Sequence, residues 1–288
     1  MHFNSEEERL QHPQAGLIPR SLWINNHLFG WELPNVIIPL MTASDEEVLL
    51  QVQQNQLQFT SSKKKKCAWI AIMCSHPLLS VESLVNLGTE LNMHDDMLFT
   101  ISAQLGRLDV LRYLEEKAPH RLQAMIEADD YIAFRSAAQN GHLDVLRYLE
   151  EKAPGRLQAM IEARNYQAFW LAAQNGHLDV LRYLEEKAPD RFQAMIGAYD
   201  YQAFWLAAQK GHLDVLRYLE EKAPGRLQEM IGSNDYYAFR LTAQNGHLDV
   251  LRYLEEKAPG SFQAMIGADD YYAFRLTAQN GHLDVLRY

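Results

Sequence analysis

The sequence predicts an all-α fold, a solenoid of short helical modules stacked in single file. Two observations lead there. The heptapeptide GHLDVLR recurs every 35 residues, opening at Gly141, Gly176, Gly211, Gly246 and Gly281, with a near copy, GRLDVLR, at Gly106. Between these marks apolar residues fall at helical spacing, punctuated by Asp or Asn before and Gly after. A module this small buries its apolar face only against its neighbours, so a fixed period of this length means an array.

One unit, residues 130–164, illustrates the elements in order. Asp130 shares its column with Asn165, Asp200, Asp235 and Asp270, and with Asp95 in the first unit. Asp and Asn are favoured N-caps, because a short acceptor satisfies the free N–H groups of a first turn. A helix A is therefore expected over 131–140. Its buried stripe is Tyr131, Phe134, Ala137 and Ala138, and Gly141 ends it in the left-handed conformation. Helix B follows over 143–153. Leu143, Leu146 and Leu149, with Val145, form its inner face, and Asp144, Arg147, Glu150 and Glu151 its solvated side. Asp144 complements the dipole of the first turn. Pro154 disfavours helix at Ala153 and suits the start of another. Leu157, Met160 and Ile161 then predict a shorter helix C.

The stretch AFWLAAQNGHLDVLRYLEE, residues 168–186, resembles the ankyrin repeat, whose signature is a TPLHxAA helix, a GH turn and an LxVVxxLL helix. The resemblance covers roughly residues 95–288 and is specific in the second half of each unit. Where the family has TPLH, this chain has IAFR, QAFW, QAFW, YAFR and YAFR. Where the family has a Gly-Ala-Asp hairpin, it has segments such as APGRLQAMIEARN. Helix C is a candidate replacement for that hairpin. Near-identical tandem units of this kind also resemble the repeat-bearing effectors of intracellular bacteria. The resemblance implies a right-handed solenoid of five full units with a partial last one, and a protein-binding scaffold, not an enzyme.

Composition points the same way. The formal net charge of -10 argues against nucleic acid or an anionic membrane as the main ligand, since both need a positive footprint. No apolar run is long enough to span a bilayer. The polar, acidic start MHFNSEEERLQHPQAG does not read as a secretory signal. Cys67 and Cys74 suit a reducing compartment and form no disulfide framework. The expected setting is cytoplasmic, or the host-cell cytosol for an effector.

Comparison of the units with one another finds the variation gathered in three columns. One holds Asp129, Arg164, Tyr199, Asn234 and Asp269. The second holds Ile132, Gln167, Gln202, Tyr237 and Tyr272. The third holds Arg135, Trp170, Trp205, Arg240 and Arg275. The last two are three residues apart and share a face of helix A. A constant frame carrying a variable stripe of Trp, Tyr, Arg and Gln has the composition of a binding hot spot. Drift at exposed positions after duplication is the competing reading. Binding is favoured because large aromatics are costly on a bare surface. The expected partner-binding residues are Arg135, Arg164, Gln167, Trp170, Tyr199, Gln202, Trp205, Tyr237, Arg240, Tyr272 and Arg275.

Residues 1–60 read as a helical extension and 61–94 as a degenerate capping repeat. Within the first, LPNVIIPLMTASDEEVLLQV, residues 33–52, predicts two short helices, the second capped by Ser44 with Glu47. It loosely resembles an F-box, which would make the protein an adaptor recruiting a ubiquitin ligase to a client held by the repeats. A plain helical cap extension is the favoured reading.

No catalytic centre, cofactor or metal is expected. His142, His177, His212, His247 and His282 sit one repeat apart, hence about 10 Å from one another. A single ion needs ligands within about 2.1 Å. They resemble the turn histidine of ankyrin repeats, which holds the loop by hydrogen bonds. Cys67, Cys74, His76 and His94 match no nucleophile signature. Lys63, Lys64, Lys65 and Lys66 read as a solvated loop, with nuclear import as the sharper alternative. The chain stops inside helix B of the last unit, leaving Leu283, Val285 and Leu286 uncovered. This predicts truncation, with a poorly ordered end from Gly281, or an otherwise monomeric protein that pairs through that end and buries Leu286.

Overall fold

Helix follows helix through residues 95–288, the part of the chain that the computed structural model describes, and among the described residues there is no strand. The expectations for 1–60, for the capping repeat 61–94 with its F-box-like stretch, for Cys67, Cys74, His76 and His94, and for the lysine run lie outside these residues. The chain divides into two compact units, 1–128 and 129–288.

The described part of the first unit begins with α1 (Asp95–Gln104) and α2 (Leu108–Lys117). A 3₁₀ turn, Pro119–Arg121, leads into α3 (Leu122–Gln139). Phe99, Val110, Leu111, Met125 and Ile126 are buried here. Arg121 pairs with Asp96 at 3.0 Å.

The second unit holds the regular array. Helix α4 (Leu143–Lys152) is followed by α5 (Leu157–Gln174), α6 (Leu178–Lys187), α7 (Phe192–Gln209), α8 (Leu213–Lys222), α9 (Leu227–Gln244), α10 (Leu248–Lys257), α11 (Phe262–Asn280) and α12 (Leu283–Arg287). The even-numbered helices are helix B. Each long odd-numbered helix joins helix C of one unit to helix A of the next. The long helices pack on one another in sequence, α5 on α7, α7 on α9 and α9 on α11. Their shared interior is Phe134, Phe169 and Phe204 with the paired alanines. Phe192 meets Phe169 edge-on at 5.6 Å, and Phe262 meets Phe239 at 6.0 Å. Such pairs add about 0.5–1.5 kcal/mol beyond the area they bury. The paired alanines are buried there.

The segment that would be the hairpin of the resembled family is a 3₁₀ turn, Pro154–Arg156 and its equivalents, running into helix C. Pro154 opens that turn, where its missing N–H costs nothing.

Helix A does not start as expected. In α5 the chain passes through Ala163 (φ -51°, ψ 130°), then Arg164, Asn165 and Tyr166 with φ of 49°, 54° and 62°. The same three columns are left-handed in every described unit of the array. The Asp/Asn column is therefore the centre of a left-handed turn and not an N-cap, which needs an extended backbone. Its side chains reach the next unit instead. Asp130 pairs with Arg164 at 3.4 Å, and Asp235 accepts the backbone N–H of Asp269 at 3.1 Å. Asp and Asn signal both structures, because they are the non-glycine residues that best tolerate this conformation.

Left-handed backbone costs an L-residue roughly 1–2 kcal/mol. Tyr199 has φ 47° where the next unit has Asn234 at 48°. Being 55% exposed, its ring has little packing to lose. Tyr199→Asn is expected to stabilise the protein by about 0.5–1 kcal/mol, read as a higher urea midpoint.

Candidate functional site

The three variable columns run beside one another along the array, and their surroundings differ. The turn column is open to solvent. Arg164 and Tyr199 stand outward from left-handed backbone. In the second column Gln167, Gln202, Tyr237 and Tyr272 are half-buried.

The third column turns toward the following unit, which corrects the expectation of an outward stripe. Arg135 is 5% exposed and Arg240 8%. Trp170 and Trp205 are half-buried, and their indole N–H groups are buried without an acceptor. Arg275, in the last unit, is exposed. Arg135, Trp205 and Arg240 each meet the second column one unit on. Arg135 donates to the Gln167 carbonyl oxygen. Trp205 stacks edge-on against Tyr237 at 5.1 Å. The Arg240 guanidinium lies over Tyr237 and Tyr272 at 5.1 and 5.3 Å and pairs with Asp269.

The arginines also serve the left-handed turn of their own unit. Arg135 donates to the carbonyls of Asp130 at 3.0 Å and Asp129 at 2.7 Å. Arg240 reaches the Asn234 carbonyl at 3.0 Å, and Arg275 the Asp269 carbonyl at 3.3 Å. A forked cation can meet several carbonyl oxygens of the turn at once. Arg135 and Arg240 thus fasten the stack. Both are fixed by a face of helix A that abuts its neighbour, which no spacing rule within a single helix can reveal.

A second ladder went unread in the sequence. Tyr148, Tyr183, Tyr218 and Tyr253 are buried on helix B. Tyr183 donates to Glu150 at 3.0 Å, Tyr218 to Glu185 at 2.8 Å and Tyr253 to Glu220 at 3.0 Å. Lys187, Lys222 and Lys257 reach the same carboxylates, each at 2.8 Å. Glu150 therefore belongs to the joint between units and not to the solvated side, where Glu151 remains. Burial, then the facing carboxylate, pushes the hydroxyls of Tyr183 and Tyr218 far above the usual phenol range, so they remain donors. Burial alone would raise Glu185, but hydrogen bonds from Lys222 and Tyr218 together hold it below the usual carboxylate value. The signal was present as an unvarying Tyr, Glu and Lys in every YLEEK. Tyr218→Phe is expected to cost about 1 kcal/mol in urea denaturation, the usual worth of one such bond.

The turn histidines pack on the preceding unit. A Cβ at Gly141 would lie 2.6 Å from the His177 ring, and one at Gly176 would lie 2.7 Å from that of His212. Both glycines have φ of 77°, so the turn needs glycine for its conformation and for its neighbour. Among the described residues no group of three or more His, Cys, Asp or Glu is placed to hold a metal ion.

The sequence profile of ankyrin repeats matches residues 134–228 in three copies. Residues 134–228 carry ankyrin repeats. A solved ankyrin repeat family protein from Legionella pneumophila is similar over 99% of this chain and 95% of its own, at 26% identity and a TM-score of 0.61. No curated protein matches. Ankyrin repeats are as a rule interaction scaffolds, whose usual ligands are proteins. Among the described residues no helix is long and apolar enough to cross a membrane.

In the last ankyrin unit Phe274 is 60% exposed, although its equivalents in earlier units are buried. Helix α12 is formed, Leu286 is half-buried and Leu283 is exposed. A cleft of about 140 Å³ lies here among Phe239, Phe262, Phe274, Leu286 and Tyr288.

Proposed function

We propose that the array is a rigid scaffold for a protein partner, which docks along the row of left-handed turns. Arg164 and Tyr199 are the contacts of that row. The accessible edges of Gln167, Trp170, Gln202, Trp205, Tyr237 and Tyr272, with Arg275, flank it. The observation that carries this reading is Tyr199: a large aromatic ring, 55% exposed, on strained backbone, in a column that differs between closely similar units. A ring kept where Asn would fit the backbone better is the pattern of a residue retained for contact. Rigid repeats bind with little ordering cost.

Tyr199→Asn tests this directly, because it removes the ring while easing the turn. Affinity capture from host-cell lysate, with parent and variant side by side, should lose a specific partner in the variant while its urea midpoint rises. Equal capture by both would remove the turn row from consideration. The similarity to a Legionella protein supports a further element of the proposal, action as a bacterial effector in a host cytosol.

A further inference from the structure

We propose that the column of turn histidines makes the coupling between units acid-labile, so that the stack is tight at neutral pH and loosens reversibly on mild acidification. His177, His212 and His247 each occupy the N-cap of a helix B without a side-chain cap bond. The positive end of a helix dipole is the wrong place for an imidazolium. Each ring is half-buried against the left-handed glycine of the preceding turn, Gly141, Gly176 or Gly211, so a charge gained there is also desolvated.

The surrounding charges are few. His177 faces Asp179 on its own helix, the Gln139 carbonyl of the preceding unit, and His142 and His212 on either side. His212 faces Asp214, the Gln174 carbonyl, His247 and Lys210. His247 faces Asp249, the Gln209 carbonyl, His282 and Lys210. The aspartate and the carbonyl favour a proton, whereas burial and the neighbouring cations oppose it. Burial is the largest of these, and all three histidines lie below their ordinary value near 6.5.

The sign follows by linkage. Below pH ~6.5 the unfolded chain takes up protons that the stacked histidines refuse, so stability is full above that value and falls as pH drops toward the native-state values. Protonating one histidine also places a cation beside the next, which lowers that neighbour further and deepens the cost of acidification. Carboxylates held low by partners, such as Asp109 and Glu185, act only in a more acid range and leave this window clear.

The test is urea denaturation of the full chain at about pH 7.5 and about pH 5.5, where the folding equilibrium constant should fall by up to roughly tenfold per histidine. Glutamine keeps an N–H for the carbonyl but does not titrate, so the triple variant His177→Gln, His212→Gln, His247→Gln should lose most of that dependence. The titration of the native imidazole proton signals, assigned with the single variants, stands independently of whether the triple variant folds. Midpoints below 6.5 support the proposal. Midpoints at or above 6.5, a parent protein equally stable at both pH values, or a triple variant with the parent's full pH dependence would each overturn it.

Discussion

Phe204→Ala is expected to cost about 3–5 kcal/mol, whereas Phe274→Ala changes stability by less than about 0.5 kcal/mol. The two phenylalanines hold the same place in helix A, in AFWLAAQ and AFRLTAQ. Phe204 lies in α7 between α5 and α9 and is 1% exposed. Truncating it removes an apolar side chain from a close-packed interior and leaves a cavity that fixed helices cannot close. Phe274 has no such cover, so its ring is already largely in water. Urea denaturation of the two variants reads the difference. Equal losses would mean that each unit buries its own phenylalanine, contradicting an array whose core lies between modules.

That difference marks what the sequence could and could not tell. Phe134, Ala137, Ala138, Val145, Leu146 and Leu149 were legible as core, because helical spacing alone places them on an inner face. The end of helix A at Gly141 was legible too, since only glycine suits that turn. What escaped reading lies between units. Whether Arg240 points to water or into the stack depends on Tyr272, which is 32 residues away and on another helix. Glu150 appears solvated until Tyr183 and Lys187 of the next unit are set beside it. Periodicity assigns faces within a helix, and these joints are made by two faces at once. The turn was misread for another reason: one residue type, Asp or Asn, suits two backbone conformations, and nothing local chooses between them.

Arg240→Met is expected to lower stability by about 2 kcal/mol, the worth of two desolvated cation–π contacts and a charge-assisted bond to the turn, less the relief of a buried charge. Methionine matches the length of the arginine stem and fills the slot between Tyr237 and Tyr272 without a charge. Asp269 is not stranded, since its carboxylate is half exposed. The Nε of Arg240 is buried without a partner, so the variant also removes one unmet donor and the net loss stays moderate. Arg240→Lys should recover less than half of it, because an ammonium cannot lie flat against both rings and reach the Asn234 carbonyl as well. Denaturation of the three proteins checks the order. Arg240→Met with unchanged stability and lost partner capture would return this column to the docking surface. A destabilised variant that still captures the partner places Arg240 in the stack and leaves the docking row to Tyr199 and Arg164.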